Sequence, residues 1–552
     1  MERSSRAVPY GLEGTEGVTR KEELMRVRGA RVKDLHGTIR TRMTVLAGVL
    51  CLVALVAVAP TASALDARYH TRADVHDEIL ALQSAYPSIV SVDTLGVSSE
   101  EGLDIWGVKL SDNVDVDEDE PVVLYNGVHH AEEVMGLEVI MWMLDELTAA
   151  YGVNDTVTSW IDGAEIWFIP MLNPEGHSVV VAGTDTTWRK NKRDNNGNGI
   201  FDLNYDGVDF NFNYDFNWSE GGSDLPASEY YRGPEPFSES ETRLIRDFCL
   251  THKPVFSLNY HSPRSSDGDL VYYPWYWPLE GFAPDHYAIY DIVTELCDRT
   301  LTEEDEPYSS YYGYADAGKC RNWQYGVVGT FGYTMEILSY LCQPGGDRVD
   351  AICERVANGS YYLLERLGGP GITGHVTDAS TGLPLVAEVE VLEIGSDLIE
   401  ARTTEPAHGR YWKMVTPGTY SLEFSCDGYE TETVGEVVVD TTGLTVVDVE
   451  MSPSGSDDET GGPRVLRVAP NPFRGSTVVS FVAPGATLAS IEIYTASGRL
   501  VATCPAEIAS NEEGTAVWDG LRLSGGPAAS GVYFARLVTD VGEDEAKMVY
   551  IR

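Results

Sequence analysis

The chain has 552 residues, 43% of them hydrophobic, with 39 Lys and Arg against 86 Asp and Glu, a formal net charge of −47. That length exceeds what one hydrophobic core organises, so roughly three or four domains are expected. A field this negative repels nucleic acid and anionic membrane surfaces, which argues against both as partners.

The first segment in chain order is the apolar run from Val45 to Ala59, preceded by Arg40 and Arg42 and followed by the small residues Ala62-Ser63-Ala64. About 15 apolar residues with basic charge on one flank have the form of a secretory signal and are too short to span a bilayer comfortably. Residues 1–64 are therefore read as an N-terminal extension and signal peptide, cleaved after Ala64, with Met43 as a second candidate start. The remainder is expected to be secreted or extracellular, without a stable membrane span. It keeps 29 basic and 80 acidic side chains, a net of about −51. Its seven cysteines show no CxxC spacing, which argues against a zinc knuckle or a dense disulfide scaffold. An exported protein allows one or two disulfides among Cys249, Cys297, Cys320, Cys342 and Cys353, with the pairing left open.

Residues 65–368 alternate helix-period and strand-like runs: helix-like Arg72 to Tyr86 and Gly136 to Tyr151, strand-like Val122 to Asn126 and Ile166 to Met171. That alternation predicts an α/β domain whose mixed sheet is covered by helices. After Gly368-Gly369-Pro370 the texture changes to short alternating runs such as Ala387 to Val391 and Tyr420 to Phe424, predicting a small all-β sandwich over 369–452. A polar linker at 453–463 and a second small all-β sandwich over 464–552 follow.

The chemistry gathers at predicted strand ends. Asn126-Gly127-Val128-His129-His130-Ala131-Glu132-Glu133 lies where a strand gives way to a helix, at the carboxyl edge of the sheet, where α/β proteins place their sites. His130 and Glu133, three residues apart, would converge on one ion if the first helical turn held them on one face. His261 closes the apolar run Val255 to Tyr260 and would sit at a strand end too. Three protein ligands with a fourth position for water are what catalytic zinc takes. His-x-x-Glu alone occurs in many helices, and His129 with Glu132 has the same spacing.

The order of the pieces is more specific than any one of them. With Asn173-Pro174-Glu175-Gly176, Trp188-Arg189-Lys190, Asp209-Phe210-Asn211, Tyr231-Arg232-Gly233-Pro234, Ser238-Glu239 and Tyr333-Thr334-Met335-Glu336, residues 68–368 resemble the zinc carboxypeptidases of the carboxypeptidase A and B type. The resemblance implies a zinc metallopeptidase with His130, Glu133 and His261 as metal ligands, Glu336 as general base and Arg189 stabilising the oxyanion. It also implies substrate contacts from Asn211, Tyr314 and Arg321.

The chain departs from the family pattern where substrate ends are held. Phe212 stands where an arginine normally pairs with the asparagine to clamp the terminal carboxylate, and Glu132 replaces an arginine between the two first ligands, which predicts a more acidic mouth. Arg321 is read either as selecting acidic C-terminal side chains or as reaching the terminal carboxylate in place of the lost clamp. Besides a C-terminal exopeptidase, an endopeptidase or amidase and an inactive binding or display protein are consistent with these changes.

Asp194-x-Asn196-x-Asn198-Gly199 and Asp202-x-Asn204-x-Asp206-Gly207-x-Asp209 repeat the oxygen spacing of calcium loops without the closing glutamate, and an ordinary Asn/Gly-rich surface turn fits them equally well. Gly371 to Asp378, Pro417 to Tyr420 and Asp427-Gly428-Tyr429 resemble the transthyretin-like, regulatory-like domain of such enzymes. Pro470 to Phe473, Val517 to Gly520 and Ser530 to Tyr533 resemble C-terminal immunoglobulin-like sorting domains of exported bacterial proteins, which implies secretion or surface-attachment machinery as a partner. Trp518 and Tyr533 are equally read as sandwich core.

Overall fold

The computed structural model describes residues 65–454 and 463–550, except 472, 496–498, 510–512, 524–525, 527 and 529–530. The expected signal, Met43 and most of the expected linker lie outside the described residues.

The catalytic-side unit is built on β1 (Val90–Val97), β2 (Asp104–Leu110), β3 (Val122–Asn126), β4 (Glu165–Ile169), β5 (Phe256–His261), β6 (Leu270–Trp277), β7 (Gly281–Phe282), β8 (Ser309–Tyr314) and β9 (Phe331–Glu336). They form one mixed sheet in the order β1-β2-β4-β3-β5-β9-β6-β7, with β8 beside β6. Strands β4, β3, β5 and β9 run parallel, so their carboxyl ends share one edge. β3, β4 and β5 are buried along their whole length. Strands covered on both faces read as unbroken apolar runs rather than alternating ones, as these do.

The α-helices are α1 (Arg72–Ala85), α2 (Met135–Ala150), α3 (Asp155–Ile161), α4 (Pro174–Val181), α5 (Ser240–His252), α6 (His286–Arg299), α7 (Cys320–Trp323), α8 (Val349–Ser360) and α9 (Tyr362–Arg366). A capping box, Thr71 with Asp74, starts α1. Asn173 caps α4 by accepting from the Gly176 N–H at 2.9 Å, with Pro174 at the first helical position, where its missing N–H is not needed. On one face Val123 and Tyr125 of β3 pack with α2, α6 and α8. On the other, Val122 and Leu124 pack with Leu244, Ile245 and Phe248 of α5 and Trp323 of α7. A Cβ on Gly136 would stand 2.5 Å from that of Tyr260, so glycine lets α2 lie directly on β5.

Residues 369–452 form two small sheets around one core that includes Ile372, Val389, Leu422 and Phe424. The alternating run expected at 387–391 is the strand Glu388–Val391, and that at 420–424 lies within Gly418–Ser425. This unit meets the catalytic one through charge: Lys413 Nζ donates to Asp285 Oδ2 at 2.9 Å, and Arg410 Nε and His375 Nε2 reach Asp119 at 2.7 and 2.8 Å. Arg402 lies over the Tyr325 ring, 5.0 Å from its centre, and the Glu400 N–H donates to the Gly326 carbonyl at 2.8 Å. The C-terminal unit again has two sheets around one core, in which Trp518 and Tyr533 are buried with ring centres 5.1 Å apart.

The cysteines differ from the expectation of one or two bridges. All seven from Cys249 to Cys504 are free thiols. Cys249 and Cys320 are buried in the cluster around α5 and α7, and Cys297 and Cys353 in the cluster on the opposite face, where they act as small apolar side chains.

Candidate metal centre

The ligand segment begins with strain. Val128, the first non-glycine residue after β3, has φ 55°, a left-handed conformation that a β-branched residue adopts only when its surroundings impose it. Its side chain is fully buried, which fixes the turn that follows. His130 and Glu133 sit in that turn, before α2 starts at Met135, and the Glu133 N–H donates to the His130 carbonyl at 3.3 Å. The turn, and not a first helical turn, brings the two side chains together. His261 and Glu336 are neighbours in register at the ends of parallel β5 and β9.

Three donors meet in this corner. His130 Nδ1 is 2.9 Å from Glu133 Oε1, His261 Nδ1 is 2.8 Å from Glu133 Oε2, and the two Nδ1 atoms are 3.0 Å apart. All three residues are buried. Two imidazole nitrogens facing each other beside a carboxylate are a poor arrangement for protons and a good one for a tetrahedral cation, and two His with one Glu is a donor set of catalytic zinc. The other register does not converge. His129 Nε2 meets the Tyr214 hydroxyl at 3.0 Å, and Glu132 faces Arg264 at 3.4 Å. Glu132 is also buried, and burial together with the Glu133 charge raises its pKa. It therefore does not line the mouth as exposed negative charge, as its position in the sequence had indicated.

Asp209 orders the site. Its Oδ1 accepts from His130 Nε2 at 3.1 Å and its Oδ2 from Arg189 Nε at 2.8 Å. A carboxylate accepts only, so the His130 proton is held on Nε2 and Nδ1 is left for a metal. Arg189 Nη1 also reaches Glu133 Oε1 at 3.3 Å, and the Ala131 N–H donates to the Arg189 carbonyl at 3.0 Å. The guanidinium is thereby fixed against the ligand set. Burial opposes the charged form of Glu336 and the nearby Glu133 charge adds to this, so its pKa is raised, although His130, Arg189 and Lys319 pull the other way.

The expected substrate contacts surround this corner. Asn211 is buried, and its Oδ1 has no hydrogen-bond partner among the described residues. Tyr314 is 63% exposed at the end of β8, stacked on Tyr276 with ring centres 6.2 Å apart. Arg321 is buried on α7 and ion-paired with Asp316, its guanidinium 5.2 Å from the Tyr272 ring centre. Its Nε has no partner among the described residues.

The residues expected to bind calcium lie in the irregular stretch between α4 and α5. The Asp194 carboxylate accepts from the backbone N–H of Asn196, Gly197, Asn198 and Gly199. Asp206 accepts from Asn195 and Asp202, and Asp202 from Asn204. Among the described residues no three carboxylate, imidazole or thiol donors converge there.

Asp209 closes the second calcium-like repeat and opens the Asp209-Phe210-Asn211 motif, and its burial, the signal that places it at the metal centre instead, is not visible in sequence. Lys319 follows the conspicuous Tyr314-Ala315-Asp316-Ala317-Gly318 segment, and only the fold brings it to Phe212, with Nζ 3.6 Å from the ring centre.

A metal-binding corner beside a fixed guanidinium and a carboxylate, at the carboxyl edge of this sheet, defines a metallohydrolase. Residues 75–340 match the zinc carboxypeptidase family, and residues 371–452 match the carboxypeptidase regulatory-like domain. The catalytic unit is that of a zinc metallocarboxypeptidase. Carboxypeptidase B of Astacus astacus is 29% identical over 276 residues, covering 49% of this chain and 86% of the relative. A zinc carboxypeptidase of Saccharothrix mutabilis subsp. capreolus is 27% identical over 291 residues, covering 50% and 63% respectively. A solved carboxypeptidase A from Helicoverpa armigera is similar at a TM-score of 0.47 and 21% identity, covering 54% of this chain and 73% of that one.

Proposed function

We propose that this protein is an exported enzyme that removes the C-terminal residue of peptides, with Glu336 as general base. The observation that carries the reading is Glu336 at the end of β9, beside His261 in register and next to the three convergent donors. Zinc held by His130, Glu133 and His261 would supply a Lewis acid for the scissile carbonyl and ease deprotonation of water. Glu336 takes the proton of the attacking water and hands it to the leaving amine. Arg189, locked by Asp209 beside the ligand set, would stabilise the oxygen on which negative charge develops.

Arg321 supports a preference for acidic C-terminal residues, since its Nε is unpartnered and a carboxylate entering the pocket would share the guanidinium with Asp316. Peptides ending in Glu, Lys and Phe test this, and a clear preference for Lys would sink it. Phe212 favours a second reading, an amidase or endopeptidase that needs no free terminus. Residues 65–552 assayed on matched free and amidated peptides decide between them, because equal cleavage of both removes the exopeptidase reading. Glu336→Gln is expected to lower kcat by about 10²–10⁴-fold with zinc retained; unchanged turnover would remove the base. The exported location rests on the run Val45 to Ala59 with Ala62-Ser63-Ala64, and the C-terminal unit is the candidate for attachment or secretion. Recovery of the protein outside cells with its N-terminus at Leu65 checks the first.

A further inference from the structure

We propose that Lys319 supplies the positive charge that holds the substrate's terminal carboxylate, in place of the arginine whose position Phe212 occupies. The inference rests on the exopeptidase reading above and deepens it.

The backbone places Lys319 there. Segment 316–319 runs along segment 212–216: the Tyr214 N–H donates to the Gly318 carbonyl at 3.2 Å, and the Gly318 N–H to the Phe216 carbonyl at 2.8 Å. Gly318 has φ +71°, and a Cβ on it would stand 2.9 Å from the Phe212 carbonyl oxygen, so only glycine lets the two segments run this close. The next residue then sets its ammonium over the Phe212 ring at 3.6 Å from the centre. The ring that displaces a guanidinium from this position thus acts as a platform for another cation.

The charge is also uncommitted. Arg189 is taken by Asp209 and Glu133, and Arg321 by Asp316. The Lys319 ammonium has neither hydrogen bond nor ion pair among the described residues, its one close contact being the Phe212 ring. Burial and the neighbouring Arg321 and Arg189 work against its charge, while Asp316 and Asp209 support it, and the balance lowers its pKa. A half-buried cation lacking a carboxylate partner gains from one that arrives with substrate. Asn211, with its unpartnered buried amide oxygen, is one residue before Phe212, the residue on which the ammonium rests.

The test compares N-acyl dipeptides bearing a free terminal carboxylate with their amides, using wild type, Lys319→Met, Lys319→Arg and Arg321→Met. Lys319→Met is expected to raise KM for the free acid by about ten- to a hundredfold, with zinc content and melting temperature kept and amide cleavage unchanged. Lys319→Arg should recover most of the loss. Lys319→Gln, held to the same criterion, replaces the methionine variant if that one fails to bind zinc. If wild type demands a free terminus while KM is unmoved in the Lys319 variants, or if Arg321→Met alone abolishes the demand, the Lys319 assignment is overturned and the exopeptidase reading stands. If wild type cleaves acid and amide alike, both fall.

Discussion

Asp209 and His130 lie 79 residues apart in sequence and 3.1 Å apart at the metal centre, with the carboxylate on the ring nitrogen that does not face the other donors. The same carboxylate fixes Arg189. One residue therefore sets both the tautomer of a ligand and the position of the guanidinium beside it.

Replacing Asp209 with Asn removes the charge and frees the His130 tautomer. Zinc affinity is expected to fall about 10–100-fold, measured by competition with a chelating dye. An affinity equal to wild type would show that the His130 ring is positioned by packing alone.

Zinc binding should release one proton near neutral pH. In the metal-free site burial and Arg189 oppose protonation of His130, but Glu133 and Asp209 outweigh them and its pKa rises to about 9. Burial lowers that of His261 to about 4, and Glu133 is held below the ordinary carboxylate range by His130 and His261 against the effect of burial. The metal must displace the His130 proton below pH 9, so apparent affinity falls about tenfold per pH unit on going down from there. Calorimetry at pH 7 in buffers of different ionisation enthalpy counts the protons, and a count of zero contradicts this assignment.

The Asp285–Lys413 pair ties the regulatory-like unit to the catalytic one. Asp285 is buried, and its Oδ2 accepts from both Lys413 and the Tyr325 hydroxyl. Lys413→Met would leave that carboxylate without its cation, at a cost of about 3 kcal/mol. A clear fall in the melting midpoint is expected, largely reversed when Asp285→Asn is added. A midpoint within error of wild type would place the cohesion of the two units elsewhere.

Calcium removal should leave the midpoint unchanged. The carboxylates of Asp194, Asp202 and Asp206 each cap backbone N–H groups of their own loop. A lower midpoint after treatment with a calcium-selective chelator, with zinc retained, would put an ion on that loop.

Local pattern carried much of this into the sequence. Unbroken apolar runs marked β3 and β4, the alternation of helix and strand marked the layered sheet, and His-x-x-Glu at a strand end marked the corner where the donors meet. What escaped were relationships made by tertiary contact. Nothing near Lys319 in sequence points to Phe212, and Glu132 reads as exposed acid until burial is seen. The cysteines escaped for the same reason, because the clusters they occupy are assembled from distant elements.

The contacts of the β-sandwich with residues 324–328 have a bearing on what the enzyme selects. Glu400 and Arg402 hold Gly326 and Tyr325, directly after the short helix that carries Arg321 and directly follows Lys319. The β-sandwich thus buttresses the segment that carries Arg321 and follows Lys319. Among the described residues no hydrogen bond or ion pair joins the β-sandwich to His130, Glu133 or His261. Loosening the buttress should blur which terminus is accepted well before it slows the cutting.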